Sequence, residues 1–249
     1  MKNGFTGQEV LVNYAISTGA LRLDKKSGIV LKSGRMSPYF FNSGLFNNGT
    51  AIRLLAKAYA SVIPDGCPYD AFFGPAYKGI PLSSCIAMEI GGDVEFFSDR
   101  KEEKDHGEKG AILGGDISGK NFIIIDDVMS TGGSVIDAHK LIVKHGAKVR
   151  AVVIAFDRQE KAKDGGLSAV QEYEQNYDIP VYSAANLDTL IGLFDRVEPL
   201  TNLAMKHAIL NYKEKYGVWK DTLKNKKSTA NAALFLCIFF KIFFSKFYT

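Results

Sequence analysis

Apolar runs flanked by polar residues recur along most of the chain, and amphipathic segments lie between them. The apolar runs predict strands at residues 29–31, 39–41, 69–73, 94–97, 122–125, 149–156 and 180–183. The amphipathic segments predict helices at residues 51–62, 80–90, 134–145, 167–176, 187–194 and 199–216. A further helix opens at the capping-box pattern TGQE of residues 6–9 and ends near Thr18, before Gly19. Strands that alternate with helices of about 10 to 15 residues predict an α/β fold with a mainly parallel twisted sheet covered by helices.

Charge and cysteine usage narrow the class of protein. The last 25 residues hold four of the 31 basic residues and no acid, so the remainder has 27 basic and 27 acidic residues. A neutral body argues against general binding of nucleic acid. Three widely spaced cysteines without a CxxC motif predict no disulfide framework and fit a reducing compartment. The histidines form no HExxH pair, and the N-terminus lacks the apolar core of a signal peptide, so we expect no zinc site and a cytoplasmic location.

The C-terminal segment differs in composition from the rest of the chain. Residues 231–249 contain the run ALFLCIFF, then a lysine, then IFF. This run is shorter than the roughly 20 apolar residues that a membrane-spanning helix needs. We interpret residues 219–249 as an atypical hydrophobic and basic tail outside the folded domain, which we expect to span residues 1–218. Association of the tail with a membrane surface is the alternative.

Two adjacent acids, Asp126 and Asp127, follow the strand at 122–125. Ligands of open α/β sheets bind at the carboxyl ends of the strands, where these acids are expected. Carboxylates there can accept hydrogen bonds from vicinal hydroxyls or bind the water shell of Mg²⁺. The following residues, VMSTGGS at 128–134, lead into a helix whose N-terminal amides can bind a phosphate. The combination suits a sugar phosphate, whereas an ordinary polar loop with N-cap residues is the alternative.

This strand, acid pair and glycine-rich turn resemble the phosphoribosyl-pyrophosphate signature of type I phosphoribosyltransferases. Three further stretches are LKSGRMSPYFFNSG at 31–44, FFGPAYKGIPL at 72–82 and FSDRKEEKDHGEKG at 97–110. Together with AFDRQE at 155–160, they are similar to the orotate phosphoribosyltransferases over about residues 5–218. The resemblance implies a type I phosphoribosyltransferase fold with a small N-terminal hood, about 1–45, on a core, about 46–218. It also implies transfer of the 5-phosphoribosyl group to N1 of orotate, Mg²⁺ as cofactor and a homodimer.

The resemblance further implies a role for the residues of each motif. Those implied for orotate are Lys32, Phe40, Phe41, Ser130 and Arg158. Those implied for phosphoribosyl pyrophosphate are Tyr77, Lys78, Arg100, Lys101, Lys104, His106, Asp126, Asp127, Val128, Met129, Ser130, Thr131, Gly132, Gly133 and Ser134. Those implied for catalysis are Arg100, Lys101, Lys104, His106 and Asp127. Mg²⁺ would be held mainly by substrate and water, with the acid pair contributing at most through water.

The chemistry of orotate, a planar anionic pyrimidine, fits this set. The ring can stack on an aromatic face at Phe40 or Phe41, and its carboxylate can meet Lys32 or a bidentate Arg158. Side chains of a strand alternate between its two sides, so only one of the two phenylalanines can lie on the ligand side. The alternative is that both phenylalanines are core residues. For Arg158 the alternative is a surface ion pair with a neighbouring acid.

The polar run at 98–115 has no apolar periodicity and predicts an exposed, mobile loop. A solvated connection is one interpretation. The other is a lid whose cations surround the pyrophosphate leaving group, and the resemblance implies that part of it is shared across the two subunits. In the 72–82 stretch, Gly74 and Gly79 permit close approach of the backbone to an anion.

The chain departs from the family pattern at two positions of the phosphate loop. Ser130 stands where a threonine is expected, and Gly133 replaces a usual threonine. Two other functions compete: a purine-salvage phosphoribosyltransferase, and a regulator that binds nucleotides without turnover. The cations implied for the orotate carboxylate argue against the first, and the cations of the loop argue against the second. We expect no fusion with orotidylate decarboxylase, because only about 30 residues follow the transferase region.

Overall fold

The N-terminal region of the computed structural model consists of a helix and two small antiparallel strand pairs. Its elements are α1 (Gly7–Ser17), β1 (Leu21–Leu23), β2 (Ile29–Val30), β3 (Met36–Ser37) and β4 (Tyr39–Phe41). Strand β1 pairs with β4, and β2 pairs with β3. Both hydrogen bonds of the predicted capping box form between Thr6 and Glu9, which confirms the start of α1. The structure describes residues 6–24, 27–31, 33–100, 111–162, 166–194, 196 and 203–218.

A six-stranded sheet and its helices form the remainder. The elements are α2 (Gly49–Ala60), β5 (Ala71–Phe73), α3 (Gly79–Ile90), β6 (Glu95–Asp99), β7 (Ile112–Leu113), β8 (Asn121–Asp126), α4 (Gly133–Lys144), β9 (Lys148–Asp157), α5 (Ala169–Tyr177), β10 (Val181–Asn186), α6 (Leu187–Leu193) and α7 (Leu203–Tyr216). The strand order is β10-β9-β8-β5-β6-β7, with every pair parallel except β6 and β7. The predicted mainly parallel α/β fold is confirmed.

The two faces of the sheet carry separate cores. Alternate residues of β8 divide between them, with Ile123 and Ile125 on one face and Phe122 and Ile124 on the other. The first core includes residues of α1, α2, α3, α6 and α7, and the second includes residues of α4 and α5. Burial on both faces explains why β8 is an unbroken apolar run.

Three strands were not predicted: β1, β3 and β7. Each has only two or three residues, which is too short for a periodic pattern. The expected loop at 98–115 also needs correction, because its two ends pair as the antiparallel strands β6 and β7. Arg100 adds a backbone hydrogen bond from its N–H to the Ala111 carbonyl at 2.8 Å.

Several predicted features lie outside the described residues. They are Lys32, Lys101, Lys104, His106, the start of the helix predicted at 199–216, and the tail at 219–249. The chain divides into one compact unit from Met1 to Val218 and a second from Trp219 to Thr249. Within the described ranges, no helix combines the length and the apolar character that crossing a membrane requires.

The chain changes direction across the sheet between β5 and β8. Strand β5 continues through α3 to β6 on one side, whereas β8 continues through α4 to β9 on the other side. A crevice opens where two such connections diverge, at the carboxyl ends of the strands. The loops that follow β5 and β8 therefore border the expected ligand crevice.

Candidate active site

The loop after β5 is shaped by a close contact between two glycines. A Cβ added at Gly74 would lie 2.0 Å from the carbonyl oxygen of Gly79, and one added at Gly79 would lie 2.6 Å from the carbonyl carbon of Gly74. These glycines therefore let the loop close upon itself, while the expected approach of the backbone to an anion stays a prediction. The Ala76 N–H donates to Asp99 Oδ1 at 2.6 Å and fixes the loop to the end of β6.

The two side chains at the tip of this loop differ in their surroundings. Tyr77 is 73% exposed and projects into solvent, and the peptide bond that precedes it is cis. Lys78 donates to Asp127 Oδ2 at 2.6 Å. The contact joins the loop after β5 to the loop after β8, so these two predicted ligands of the same substrate meet across the crevice.

Asp127 is buried and held in one orientation by three donors. Its Oδ2 atom accepts from Ser43 Oγ at 2.7 Å and from the Lys78 ammonium group. Its Oδ1 atom accepts from the Val128 N–H at 2.9 Å. The cation and the two neutral donors offset part of the cost of burying this carboxyl group.

Asp126 is also buried, and no lysine or arginine in the described part of the chain forms an ion pair with it. Its Oδ1 atom accepts from the Asp127 N–H at 2.8 Å, and the Tyr59 hydroxyl donates to its backbone carbonyl at 2.7 Å. Burial, followed by the negative charge of Asp127, raises the pKa of Asp126 to about 7. At neutral pH this carboxyl group therefore exchanges between an acceptor-only and a hydrogen-bond-donating form.

The loop after β8 begins with two residues that pack against the cores and continues with residues that are mostly exposed. Val128 packs against the first core and Met129 lies within the second. Ser130, Thr131, Gly133 and Ser134, by contrast, are exposed. Val128 and Met129 thus contribute their backbone to the crevice, while their side chains fix the loop to both faces of the sheet.

Gly132 ends this loop in the left-handed region, with a φ of 74°, and is the N-cap of α4. No side chain within the described ranges caps this helix through a hydrogen bond. The first N–H groups of a helix that has no capping side chain, together with the helix dipole, form an anion-binding site. The start of α4 is therefore compatible with the predicted phosphate loop, which stays a prediction.

The side chains of the two adjacent phenylalanines of β4 lie on opposite sides of the strand. Phe41 is 5% exposed and stacks on Phe156, with ring centroids 5.3 Å apart and planes inclined by 15°. Phe40 is 40% exposed. The period of two in the strand causes the separation, so only Phe40 presents its ring, and Phe41 is a core residue.

Arg158 lies just after β9 in a polar cluster that is largely buried. Its Nη2 atom donates to Glu160 Oε1 at 2.5 Å and to Ser37 Oγ at 3.1 Å. The guanidinium carbon lies 4.4 Å from the centroid of the Tyr39 ring, and the Tyr39 hydroxyl also donates to Glu160 Oε1 at 2.8 Å. Burial opposes the charged form of Arg158, but the neighbouring Tyr39 and Glu160 outweigh burial and raise the pKa of the guanidinium group. Arg158 thus forms the ion pair with a nearby acid that we gave as the alternative. The pair is largely buried, however, and contacts Ser37 of β3 and Tyr39 of β4.

Several contributing residues were not identified from the sequence. Ser43 donates to Asp127, and Tyr59 donates to the backbone carbonyl of Asp126. Arg35 donates to the carbonyls of Lys161 and Ala162 at 2.7 and 3.2 Å. Ser43 and Arg35 lie in the quoted 31–44 stretch, but nothing local indicates partners that are 84 and 126 residues away.

The described part of the chain contains no group of three or more His, Cys, Asp or Glu residues that could hold a metal ion. Asp126 and Asp127 nevertheless offer carboxylate oxygens, the donor type that Mg²⁺ prefers, and the carboxylate of Asp99 is close enough to raise the pKa of Asp126. These acids fit a magnesium ion that is shared with a substrate, with the protein supplying outer contacts.

The fold, the divergent strand connections and the uncapped helix after an acid pair define a phosphoribosyltransferase. Residues 45–180 match the family of phosphoribosyl transferase domains.

Comparison with whole proteins narrows the class. The chain is 40% identical over 216 residues to the orotate phosphoribosyltransferase of Proteus mirabilis, covering 85% of this chain and 98% of that protein. It is 44% identical over 217 residues to that of Nitrosococcus oceani, covering 85% and 96%. The crystal structure of orotate phosphoribosyltransferase from Francisella tularensis superposes with a TM-score of 0.72 at 36% identity, covering 84% of this chain and 99% of that one. The chain belongs to the orotate phosphoribosyltransferase family.

Proposed function

We propose that this chain transfers the 5-phosphoribosyl group from phosphoribosyl pyrophosphate to N1 of orotate. The products are orotidine 5′-monophosphate and pyrophosphate, in de novo synthesis of UMP. The observation that carries this proposal is the similarity to orotate phosphoribosyltransferases over nearly their whole length. The site agrees with it, because the acid pair and the anion-binding helix N-terminus lie together at the end of β8.

The 5-phosphate is assigned to the loop from Val128 to Ser134. Ser130, Thr131 and Ser134 are exposed and lie at or just before the start of α4 in the chain. Hydrogen bonds from backbone N–H groups and hydroxyls, together with the helix dipole, would bind the dianion.

The ribose hydroxyls are assigned to Asp126 and Asp127. Asp127 is fixed by Ser43 and Lys78, so its orientation is set before the substrate arrives. Asp126 has a pKa of about 7, so its neutral form can donate a hydrogen bond and its charged form can accept two. Such preorganised contacts position C1 of the ribose for attack by orotate N1.

Tyr77, Lys78 and Arg100 are assigned to the pyrophosphate, with Lys101, Lys104 and His106 from the neighbouring loop. Lys78 is half-exposed on its long stem and would exchange its contact with Asp127 for one with pyrophosphate oxygens. The transition state would resemble an oxocarbenium ion, and catalysis would be electrostatic, by stabilisation of the leaving group. No side-chain nucleophile takes part.

Orotate is assigned to Phe40, Lys32, Ser130 and Arg158, with Phe41 acting from the core. The exposed ring of Phe40 suits stacking on the pyrimidine, a contact worth roughly 1 to 3 kcal/mol. The described contacts of Arg158 use Nη2, so Nη1 and Nε remain for the carboxylate of orotate. A purine has no carboxylate for these cations.

Mg²⁺ would be held between the substrate and water, with Asp126 and Asp127 as outer partners. When bound, Mg²⁺ would neutralise part of the negative charge of the pyrophosphate group. We also propose a homodimer in which the 98–115 segment is shared across subunits, a cytoplasmic location, and a transferase domain that ends near Val218 before the tail.

The direct test is consumption of orotate, followed by the fall in its absorbance, with phosphoribosyl pyrophosphate and Mg²⁺. The full chain is compared with a chain that ends at Trp219. Turnover in either chain supports the transferase, and turnover in the shorter chain alone shows that the tail inhibits. Turnover of a purine base instead would identify the competing salvage reaction. Binding of orotidine 5′-monophosphate without turnover in either chain would favour the regulator.

Lys104→Ala tests the leaving-group assignment. We expect the variant to lower kcat far more than it weakens orotate binding, because a cation at the leaving group acts mainly in the transition state. Steady-state kinetics and equilibrium binding of orotate measure the two effects. An equal kcat in the variant and the wild type would remove Lys104 from the mechanism.

A further inference from the structure

Gln159 has an unusual backbone conformation for its residue type. Its φ is 52°, and Asp178 is the other non-glycine residue with positive φ in the described ranges. Asp178 ends helix α5 as its C-cap, where this conformation is common. Gln159 ends no helix and follows Arg158 directly. The left-handed conformation costs about 1 to 2 kcal/mol in a residue with a side chain, so surrounding contacts must hold it.

The contacts that hold Gln159 come from both ends of its side chain and from its backbone. Nε2 donates to Asp188 Oδ2 at 2.8 Å, and the Asp188 N–H donates back to Gln159 Oε1 at 2.9 Å. The Gln159 N–H donates to Asp157 Oδ1 at 2.8 Å, and its carbonyl accepts from the Val218 N–H at 2.8 Å. Gln159 is 2% exposed, whereas Asp188 is exposed and its Oδ1 atom also pairs with Lys213, so the two hydrogen bonds run from a buried side chain to a partner at the surface.

Arg158 and Glu160, the residues on either side of Gln159, form an ion pair that orients the guanidinium group of Arg158. Arg158 precedes it and Glu160 follows it, and the two side chains are joined at 2.5 Å. Tyr39 lies beneath the guanidinium and also donates to Glu160. Gln159 is the one residue between Arg158 and Glu160, so its backbone conformation sets the relative position of these two paired side chains.

We propose that Gln159, held by its two hydrogen bonds with Asp188, is a positioning residue for Arg158 in the binding of orotate. The inference rests on the proposed function, because it assigns Arg158 to the carboxylate of orotate. Gln159 touches no reacting atom in this scheme. We expect its effect mainly on the pyrimidine side of the crevice, because Gln159 directly follows Arg158 in the chain and both hydrogen bonds of its side chain go to Asp188 at the start of α6.

The first test is a double-mutant cycle measured by steady-state kinetics in the full chain. We expect Gln159→Ala to raise KM for orotate about ten-fold while KM for phosphoribosyl pyrophosphate stays within about two-fold. In an Arg158→Ala background the same substitution adds less than about two-fold, because its effect passes through Arg158. A ten-fold effect in both backgrounds, or parallel rises of the two KM values, would overturn the inference.

The second test exchanges the amide and the carboxylate between positions 159 and 188. It tests the positioning role even if Gln159→Ala does not fold. Gln159→Glu keeps the shape and the acceptor for the Asp188 N–H, but it places two carboxylates together. We expect its KM for orotate to rise about ten-fold. Adding Asp188→Asn restores a donor opposite the new carboxylate and returns KM to within about three-fold of wild type. An unchanged KM in the single variant, or no recovery in the double variant, would contradict the positioning role.

Wild-type turnover separates the two proposals. If the wild type does not consume orotate, the proposed function fails. If it does, and the cycle is additive, only the role of Gln159 fails.

Discussion

Replacement of Asp126 by asparagine should change how the stability of the protein depends on pH. In the folded protein the pKa of this carboxyl group is raised from 3.8 to about 7, first by burial and then by the charge of Asp127. The folded protein therefore binds more protons than the unfolded chain between these pH values. The free energy of unfolding must then fall as the pH rises through this window, with the contribution of Asp126 complete below pH about 4 and lost above about 7.

The magnitude follows from the pKa difference. Each pH unit inside the window costs about 1.4 kcal/mol, and the slope ends once the folded group ionises. Between pH 5 and pH 8 the expected loss from this one group is roughly 2 to 3 kcal/mol. Asparagine keeps the side-chain oxygen that accepts from the Asp127 N–H but does not titrate, so Asp126→Asn should lack this loss.

Urea denaturation at pH 5, 6, 7 and 8 measures the effect for wild type and variant. Asp137→Asn, which removes an exposed carboxylate from α4, controls for the loss of one negative charge. The difference in unfolding free energy between Asp126→Asn and wild type should shift in favour of the variant by roughly 2 to 3 kcal/mol from pH 5 to pH 8. Parallel curves for the two proteins would refute the raised pKa and, with it, the neutral form of Asp126 in ribose binding.

Substitutions at other positions separate packing from binding. Gly74→Ala brings a Cβ to 2.0 Å from a backbone oxygen, and we expect it to cost about 3 kcal/mol in urea unfolding. Gly192→Ala, which meets no atom within 4 Å, should gain about 0.5 to 1 kcal/mol, and similar effects of the two would contradict the close contact. Phe41→Ala should lose about 3 to 5 kcal/mol of stability, whereas Phe40→Ala should lose less than about 1 kcal/mol and raise KM for orotate; a reversed order would refute the assignment of the two rings. Gly133→Thr adds a hydroxyl where there is room for it, since the nearest contact of a Cβ is 3.7 Å. It should lower KM for phosphoribosyl pyrophosphate about ten-fold, the equivalent of about 1.4 kcal/mol. Equal KM values in Gly133→Thr and Gly133→Ala would argue against a role for the hydroxyl.

Much of the fold was predictable because the signals are local. The apolar run at 122–125 and the amphipathic segment at 134–145 correspond to β8 and α4 within one residue at each end. Strand and helix periods are written in neighbouring residues, so the alternation of elements and the class of sheet follow from the pattern. The short strand β7 carries no such signal, because it is defined by its pairing with β6.

The site was predictable in its residues but not in its contacts. The acid pair and the glycine-rich loop were found because a strand end and a helix start place them at a known edge of the sheet. The contacts of Asp127 with Ser43 and Lys78 join three separate parts of the chain. The pKa of Asp126 depends on burial that these distant parts create, and no local pattern encodes it.

The amino-acid sequence by itself determined the α/β architecture, the position of the acid pair before a glycine-rich turn, and the resemblance to one family of transferases. Only the tertiary structure decided that Phe40 is exposed while Phe41 is core, that Gly74 and Gly79 pack against each other, and that Gln159 is locked beside Arg158. The reason is physical. Periodicity and turn chemistry act between residues a few positions apart, whereas burial, close packing and hydrogen-bond partners are fixed when segments far apart in the chain meet.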